Sequence, residues 1–288
     1  MSTESNTNTP NNILEQYYRQ PEIYVTLPSN GQFYPEGTLE SSATGELPVY
    51  GMTAKDDIFL KTPDALISGE AVVQVIKSCI PSIKDPWQMP ITDVDYALIA
   101  IRIASYGEEM TMEATCTNCQ HEHALGVDLT HYIEKLGNIT IDTDQSTIEY
   151  NELKIHIKPL SYHELSLLQR KAFEEQRVLR LAQDSEDMAE EERQKIYTDI
   201  ISNMTEINIS MISSAIQGIE LPDGELIVNK EEIVKFIDNS NVKLFNKITE
   251  VIESIREKTI IPPINSECPE CKHPFEFPLI FNYSSFFA

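Results

Sequence analysis

Four of the five cysteines form two C-x-x-C pairs, Cys116/Cys119 and Cys268/Cys271. Two residues between thiols let one tight turn aim both sulfurs at a single point, about 2.3 Å from a bound metal. Amides of the same turn can then hydrogen-bond the thiolates. Two such pairs supply the four thiolates that close a tetrahedral shell around Zn²⁺. The sequence therefore predicts one structural Zn²⁺ held by Cys116, Cys119, Cys268 and Cys271. Three other readings stay open. Redox C-x-x-C sites open a helix in a thioredoxin-like unit, and neither pair is placed that way. Catalytic zinc needs an open coordination position, which four thiolates remove. His121 and His273 each stand two residues after a knuckle's second cysteine and are alternative ligands, but with four thiolates at hand they are expected to face solvent. Cys79 falls on an apolar helical pattern and reads as a buried core thiol.

The elements that must position these thiols are strands. Residues 109–130 read EMTMEAT, CTNC, QHEHALGVDL, a strand, a turn and a strand. INSECPECKHPFEFPLIFNY repeats that order near the C-terminus. Between Cys119 and Cys268 lie 148 residues, more than a zinc ribbon needs, so a folded insertion must bring the knuckles together. Residues 22–50 read as short strands and loops, with Ser29-Asn30-Gly31 as a turn. Helix starts are expected at Thr53 and at Thr62-Pro63-Asp64, and helices over Glu70–Ile80 and about Asp93–Ser105. ITIDT and LKIHIKP, within 139–159, read as a strand pair. Ser161 and Glu164 form a capping-box pattern for a helix to about Ala182, with Leu165, Leu168, Phe173 and Leu179 as its apolar stripe. Further helices are expected over about Met188–Ile216, from Asn229 through Ile237, and over Val242–Ile255, with a turn and short strand at LPDGELIV. The fold class is α+β: 22–159 and 259–288 form one unit clasped by zinc-ribbon-like hairpins, 160–258 is a helical insertion, and 1–21 is a disordered tail.

Charge narrows the function. The chain carries 22 Lys and Arg against 46 Asp and Glu. The excess is spread, with 9 basic and 23 acidic residues over 1–159, 12 and 20 over 160–258, and 1 and 3 over 259–288. Nucleic-acid binding needs clustered cations and is disfavoured. No apolar run approaches the roughly 20 residues of a membrane span, and the N-terminus lacks a signal peptide's pattern. No P-loop, dinucleotide-binding, nucleophile-elbow or H-E-x-x-H motif occurs, so no enzyme is expected. Asp56-Asp57 and Asp93/Asp95 read as helix-start acids.

Several phrases in order carry a family resemblance: LPSNGQFYPEG at 27–37, MTAKDDIFL at 52–60, GEAVVQVIKSCI at 69–80 and DVDYALIAIRIASYGEEM at 93–110. The CTNC knuckle and VDL at 127–129 follow. This series resembles the baseplate proteins of T-even-type contractile-tailed bacteriophages, the hub subunit and hub assembly proteins. The resemblance covers roughly 22–160. It implies a structural or chaperone-like assembly protein of the tail baseplate hub, with other hub proteins as partners. It implies the host cytoplasm during assembly, and the virion tail baseplate, as locations. The competing reading is a zinc-ribbon module binding nucleic acid or the transcription machinery.

Overall fold

The computed structural model describes residues 14, 17–40, 42–62, 65, 68–139, 146–185, 189–277 and 286–287. Most of the expected tail, Pro63-Asp64, most of ITIDT, Met188, Phe281 and Tyr283 lie outside them. The protein is of mixed α and β structure with small antiparallel hairpins.

The first core is built around one helix. α3 (Ile91–Tyr106) is apolar on nearly every side and, Asp95 excepted, buried from Thr92 to Arg102, as a helix without a polar face must be. Around it pack α1 (Ala54–Leu60), α2 (Glu70–Cys79) and the antiparallel pair β1 (Pro21–Val25) and β2 (Leu47–Tyr50). α1 opens with the Thr53/Asp56 capping box. The expected Cys79 thiol lies fully inside this core, and burial pushes its pKa up to about 12. A further helix, α4 (Thr130–Gly137), adds Tyr132 and Leu136. It falls where the sequence analysis places no element. Its start signal is Asp128, whose carboxylate accepts from the Thr130 amide and hydroxyl.

Asp93 stands in the first turn of α3, as expected of a helix-start acid. It is fully buried and collects the loop after β1: the Ser29 amide donates to Oδ1 at 3.0 Å, and the Ser29 and Tyr34 hydroxyls to Oδ2 at 2.5 and 3.0 Å. The phrase LPSNGQFYP thus closes on the first turn of α3. Burial, the largest effect, raises the Asp93 pKa to about 6 against these donors. A raised folded-state pKa means the fold holds the proton more tightly than the unfolded chain. Its contribution is present at about pH 4 and below, and is lost as pH rises through about 6. Asp93→Asn should therefore flatten the melting curve between pH 4 and 6, relative to wild type, by up to about 1.4 kcal/mol per pH unit. Parallel melting profiles for both proteins would contradict this. Within the same loop Gly31 has φ +78°, and a Cβ there would lie 3.3 Å from Leu39 Cδ2. Gly31→Val is expected to cost about 1–2 kcal/mol in urea denaturation.

The second core rests on a four-stranded antiparallel sheet. β5 (Thr147–Tyr150) and β6 (Leu153–Ile157) form a hairpin, and β6 pairs with β7 (Ile216–Glu220), which pairs with β8 (Leu226–Ile227). Asn151 and Glu152, both at positive φ, make the two-residue turn whose twist suits a hairpin. The sheet draws 147–157 into contact with the chain that follows residue 160. Ile216 was expected to end a helix; it starts β7, because Ile155 and Ile157 offer it a strand edge. Helices α7 (Lys230–Asp238) and α8 (Val242–Thr259) cover the sheet with Ile233, Ile237, Leu244 and Ile248. Asn229 and Asn241 cap them.

Two long helices link the cores, α5 (Tyr162–Asp184) and α6 (Glu190–Ala215). The Ser161/Glu164 capping box is present. Along their facing middles, Leu168, Ala172, Glu175, Leu179 and Ala182 of α5 and Arg193, Tyr197, Ile200, Met204, Ile207 and Met211 of α6 are buried or half-buried. Their alternating spacing of four and three is that of a coiled-coil seam. Asn203 Nδ2 donates across it to Glu175 at 2.9 Å. Phe173, expected in the stripe, is off the seam and 62% exposed.

Candidate metal centre

β3 (Glu109–Thr115) and β4 (Glu122–Asp128) pair in register out to Thr115 and Glu122. That leaves residues 116–121 as the turn. β9 (Ile264–Glu267) and β10 (Pro274–Phe277) pair out to Glu267 and Pro274, leaving 268–273. Both turns therefore read C-x-x-C-x-H, and both are wired alike. The Cys116 amide donates to the His121 carbonyl and the Cys268 amide to that of His273, each at 3.0 Å. The Gln120 and Lys272 amides donate back to the Cys116 and Cys268 carbonyls, also at 3.0 Å.

The residue after each second cysteine must turn left-handed: Gln120 has φ +59° and Lys272 φ +58°. A Cβ in that conformation costs roughly 1–2 kcal/mol, which glycine avoids. Gln120→Gly and Lys272→Gly should each stabilise the hairpins by up to about 1 kcal/mol, read as a rise in melting temperature. Lower melting in both variants would show that these side chains hold the turns.

The two turns face one another. Ligand atoms of Cys116, Cys119, Cys268 and Cys271 all lie within 4.8 Å of one another. Cys116 Sγ is 3.7 Å from Cys271 Sγ, and Cys119 Sγ 3.7 Å from Cys268 Sγ. A tetrahedron with bonds of about 2.3 Å has edges of about 3.8 Å, so the spacing fits four sulfurs on one ion. None of the five cysteines is in a disulfide. The fold thus brings all four expected residues to one point that can hold a metal ion.

The surroundings are partly dry. Cys116 and Cys268 are fully buried with Ala114 and Phe275, while Cys119 is exposed. The Asn118 amide approaches Cys116 Sγ at 3.4 Å and its Nδ2 approaches Cys271 Sγ at 3.6 Å. The Asn118 side chain is the largest influence holding the Cys271 thiol down, to about 6. Asn118 was not among the expected site residues; its only signal was its place inside the turn. The alternative ligands lie outside the cluster. His121 and His273 are exposed and lend the turns their carbonyls. The His121 ring stacks on His123, which meets Phe275 edge-on.

The C-terminal segment is also fixed beyond the second turn. Phe286 and Phe287 pack in the first core, each 2% exposed. Arg102, buried on α3, donates through Nε to the Phe286 carbonyl at 3.0 Å and lies 4.5 Å over the Tyr106 ring. Among the described residues no helix is long and apolar enough to cross a membrane.

No curated protein and no solved structure gives a significant match to the chain. A family described as T4 bacteriophage base plate protein matches residues 21–288. That span takes in the loop closed on Asp93, both cysteine turns and the helices between them, and the chain belongs to the T4 bacteriophage base plate protein family.

Proposed function

We propose that the protein is a non-enzymatic structural or assembly component of the phage tail baseplate hub, acting through protein–protein contacts and stiffened by one Zn²⁺. Family membership over residues 21–288 carries the baseplate role. The hub assignment rests on the ordered phrases quoted above. Zn²⁺ is the ion of choice because the donor set is four thiolates at tetrahedral spacing, which suits a soft, closed, redox-inert site. Cys116, Cys119, Cys268 and Cys271 would hold it. The ion would fix two hairpins whose shared core is small, and so present a rigid surface to partners. Preorganisation of that kind lowers the ordering cost of association.

In this reading 22–159 and 259–288 form one unit into which 160–258 is inserted, with β5 and β6 joining the insertion's sheet to that unit. Other baseplate hub proteins are the partners, met in the host cytoplasm during assembly and in the tail baseplate. A zinc-ribbon reader of nucleic acid finds little support. Residues 109–128 and 264–277, which carry both turns, hold seven Asp and Glu and one Lys, a poor match for phosphates. The test is an amber mutation of this gene in its phage. Heads should form normally while complete baseplates and contractile tails fail and hub intermediates accumulate. Infectious tails from that mutant would overturn the reading, as would tight, salt-sensitive binding of DNA or RNA by the purified protein.

A further inference from the structure

An open cavity of about 640 Å³ lies between the start of α3 and the first turns of α5. Ile91, Val94 and Asp95 line it from α3, and Tyr162, Ser166 and Phe173 from α5. Gly69 forms part of the wall. Its φ is +81°, and a Cβ there would press on Tyr162 Oη at 3.1 Å and the Trp87 ring at 3.2 Å, so the backbone and its packing both require glycine.

Asp95 differs from the two buried acids of the first core, Asp56 and Asp93. Asp93, two residues earlier, is served by three donors, and Asp56 by its capping box and the Ser78 hydroxyl. Asp95 has no hydrogen-bond donor and no ion pair among the described residues, and loss of solvent alone pushes its pKa up, to about 6. Arg170, the one cation of the lining, is exposed and makes no ion pair with it. The residues outside the description include no Lys, Arg or His. No side-chain cation of this chain pairs with Asp95, although Arg170 lines the same cavity. A half-buried carboxylate therefore stands at the cavity wall with neither a donor nor a counter-ion, a less favourable state than a paired one.

We propose that this cavity receives a lysine or arginine side chain of another baseplate protein, with Asp95 as its counter-ion. The stem of that side chain would lie along Val94 and the Tyr162 ring, with the exposed Phe173 ring closing over it at the rim. Aromatic faces favour cations in this arrangement, and burial of the pair strengthens it relative to water. Charge complementarity names the occupant, because the site supplies one half-buried, unpaired carboxylate among mostly apolar walls. The inference rests on the baseplate reading only for the partner's identity.

Trp87 is the only tryptophan and stacks on Tyr162 at 5.5 Å, so its fluorescence reports on the cavity. Full-length, metal-loaded protein is titrated with Nα-acetyl-arginine amide and with the neutral isostere Nα-acetyl-citrulline amide. The arginine compound should give a saturable Trp87 signal at millimolar concentration. The citrulline compound, and the Asp95→Asn variant with either compound, should bind at least about tenfold more weakly. Asp95→Asn should melt no lower than wild type at pH 7, which separates a binding acid from a structural one. A photoreactive benzoylphenylalanine at position 173 should cross-link, during infection, to a segment of another baseplate protein beside a basic residue, and Asp95→Asn should remove that cross-link. Equal binding by the variant, a lowered melting temperature, or cross-links only to a second copy of this chain would overturn the proposal. Those results leave the amber phenotype untouched, whereas infectious amber tails would remove the baseplate partner and leave the titration standing.

Discussion

A Cys268→Ser variant is expected to lose its metal, falling from about one zinc per chain to nearly none by elemental analysis. The four sulfurs lie within 4.8 Å of one another, and a serine hydroxyl neither ionises at neutral pH nor matches a soft site. Apparent binding free energies of structural zinc at such sites are on the order of 10 kcal/mol or more. Among the described residues the cluster around the two turns is small, with Ala114, Cys116, Cys268 and Phe275 as its buried members. Chelation should therefore release the 264–277 hairpin to protease while the helical cores stay resistant. The pH dependence has a definite sign. Metal-bound cysteine is a thiolate, so its pKa in the loaded fold lies far below the unfolded value of about 8.5. The stabilisation is full above that value and is lost as pH falls and protons displace the ion. Full zinc retention in a Cys268→Ser, Cys271→Ser double variant would refute a metal shared between the hairpins.

Phe286→Ala should be the most damaging single change outside the cysteines, costing about 3–5 kcal/mol in urea denaturation. The ring is 2% exposed in the first core and meets Phe287 edge-on at a centroid distance of 5.0 Å. Truncation removes the apolar contact and leaves a cavity that rigid neighbours on α3 cannot fill. It also loosens the backbone whose carbonyl accepts from buried Arg102, leaving that guanidinium with less compensation for burial. A cost under about 1 kcal/mol would mean that the C-terminal segment is not part of the first core.

Some misreadings have a common cause. Phe173 fitted an apolar stripe at helical spacing, yet the seam of α5 runs through Leu168, Ala172, Glu175, Leu179 and Ala182. A stripe needs a partner to define it, and α6 supplied the partner. Ile216 reads equally as the end of a helix or the start of a strand, and the choice was made by β6, some 60 residues earlier in the chain. Asp93 and Asp95 look alike as acids at a helix start. One became a hub for Ser29 and Tyr34 and the other an unpaired wall residue, because only one faces the loop at 27–34.

The sequence by itself determined whatever depends on near neighbours. Ser161 and Glu164, or Thr53 and Asp56, cap a helix because the groups that satisfy one another are three residues apart. The C-x-x-C spacing likewise delivers two thiols per turn, and Gly31 declares a left-handed bend. Tertiary structure alone decided which turn faces which across the 148 residues between Cys119 and Cys268. It also decided that Phe286 returns to α3, and that Asp95 is left without a partner. These contacts join segments far apart in the chain, and their formation depends on how the intervening helices and sheet close the loop rather than on any local pattern.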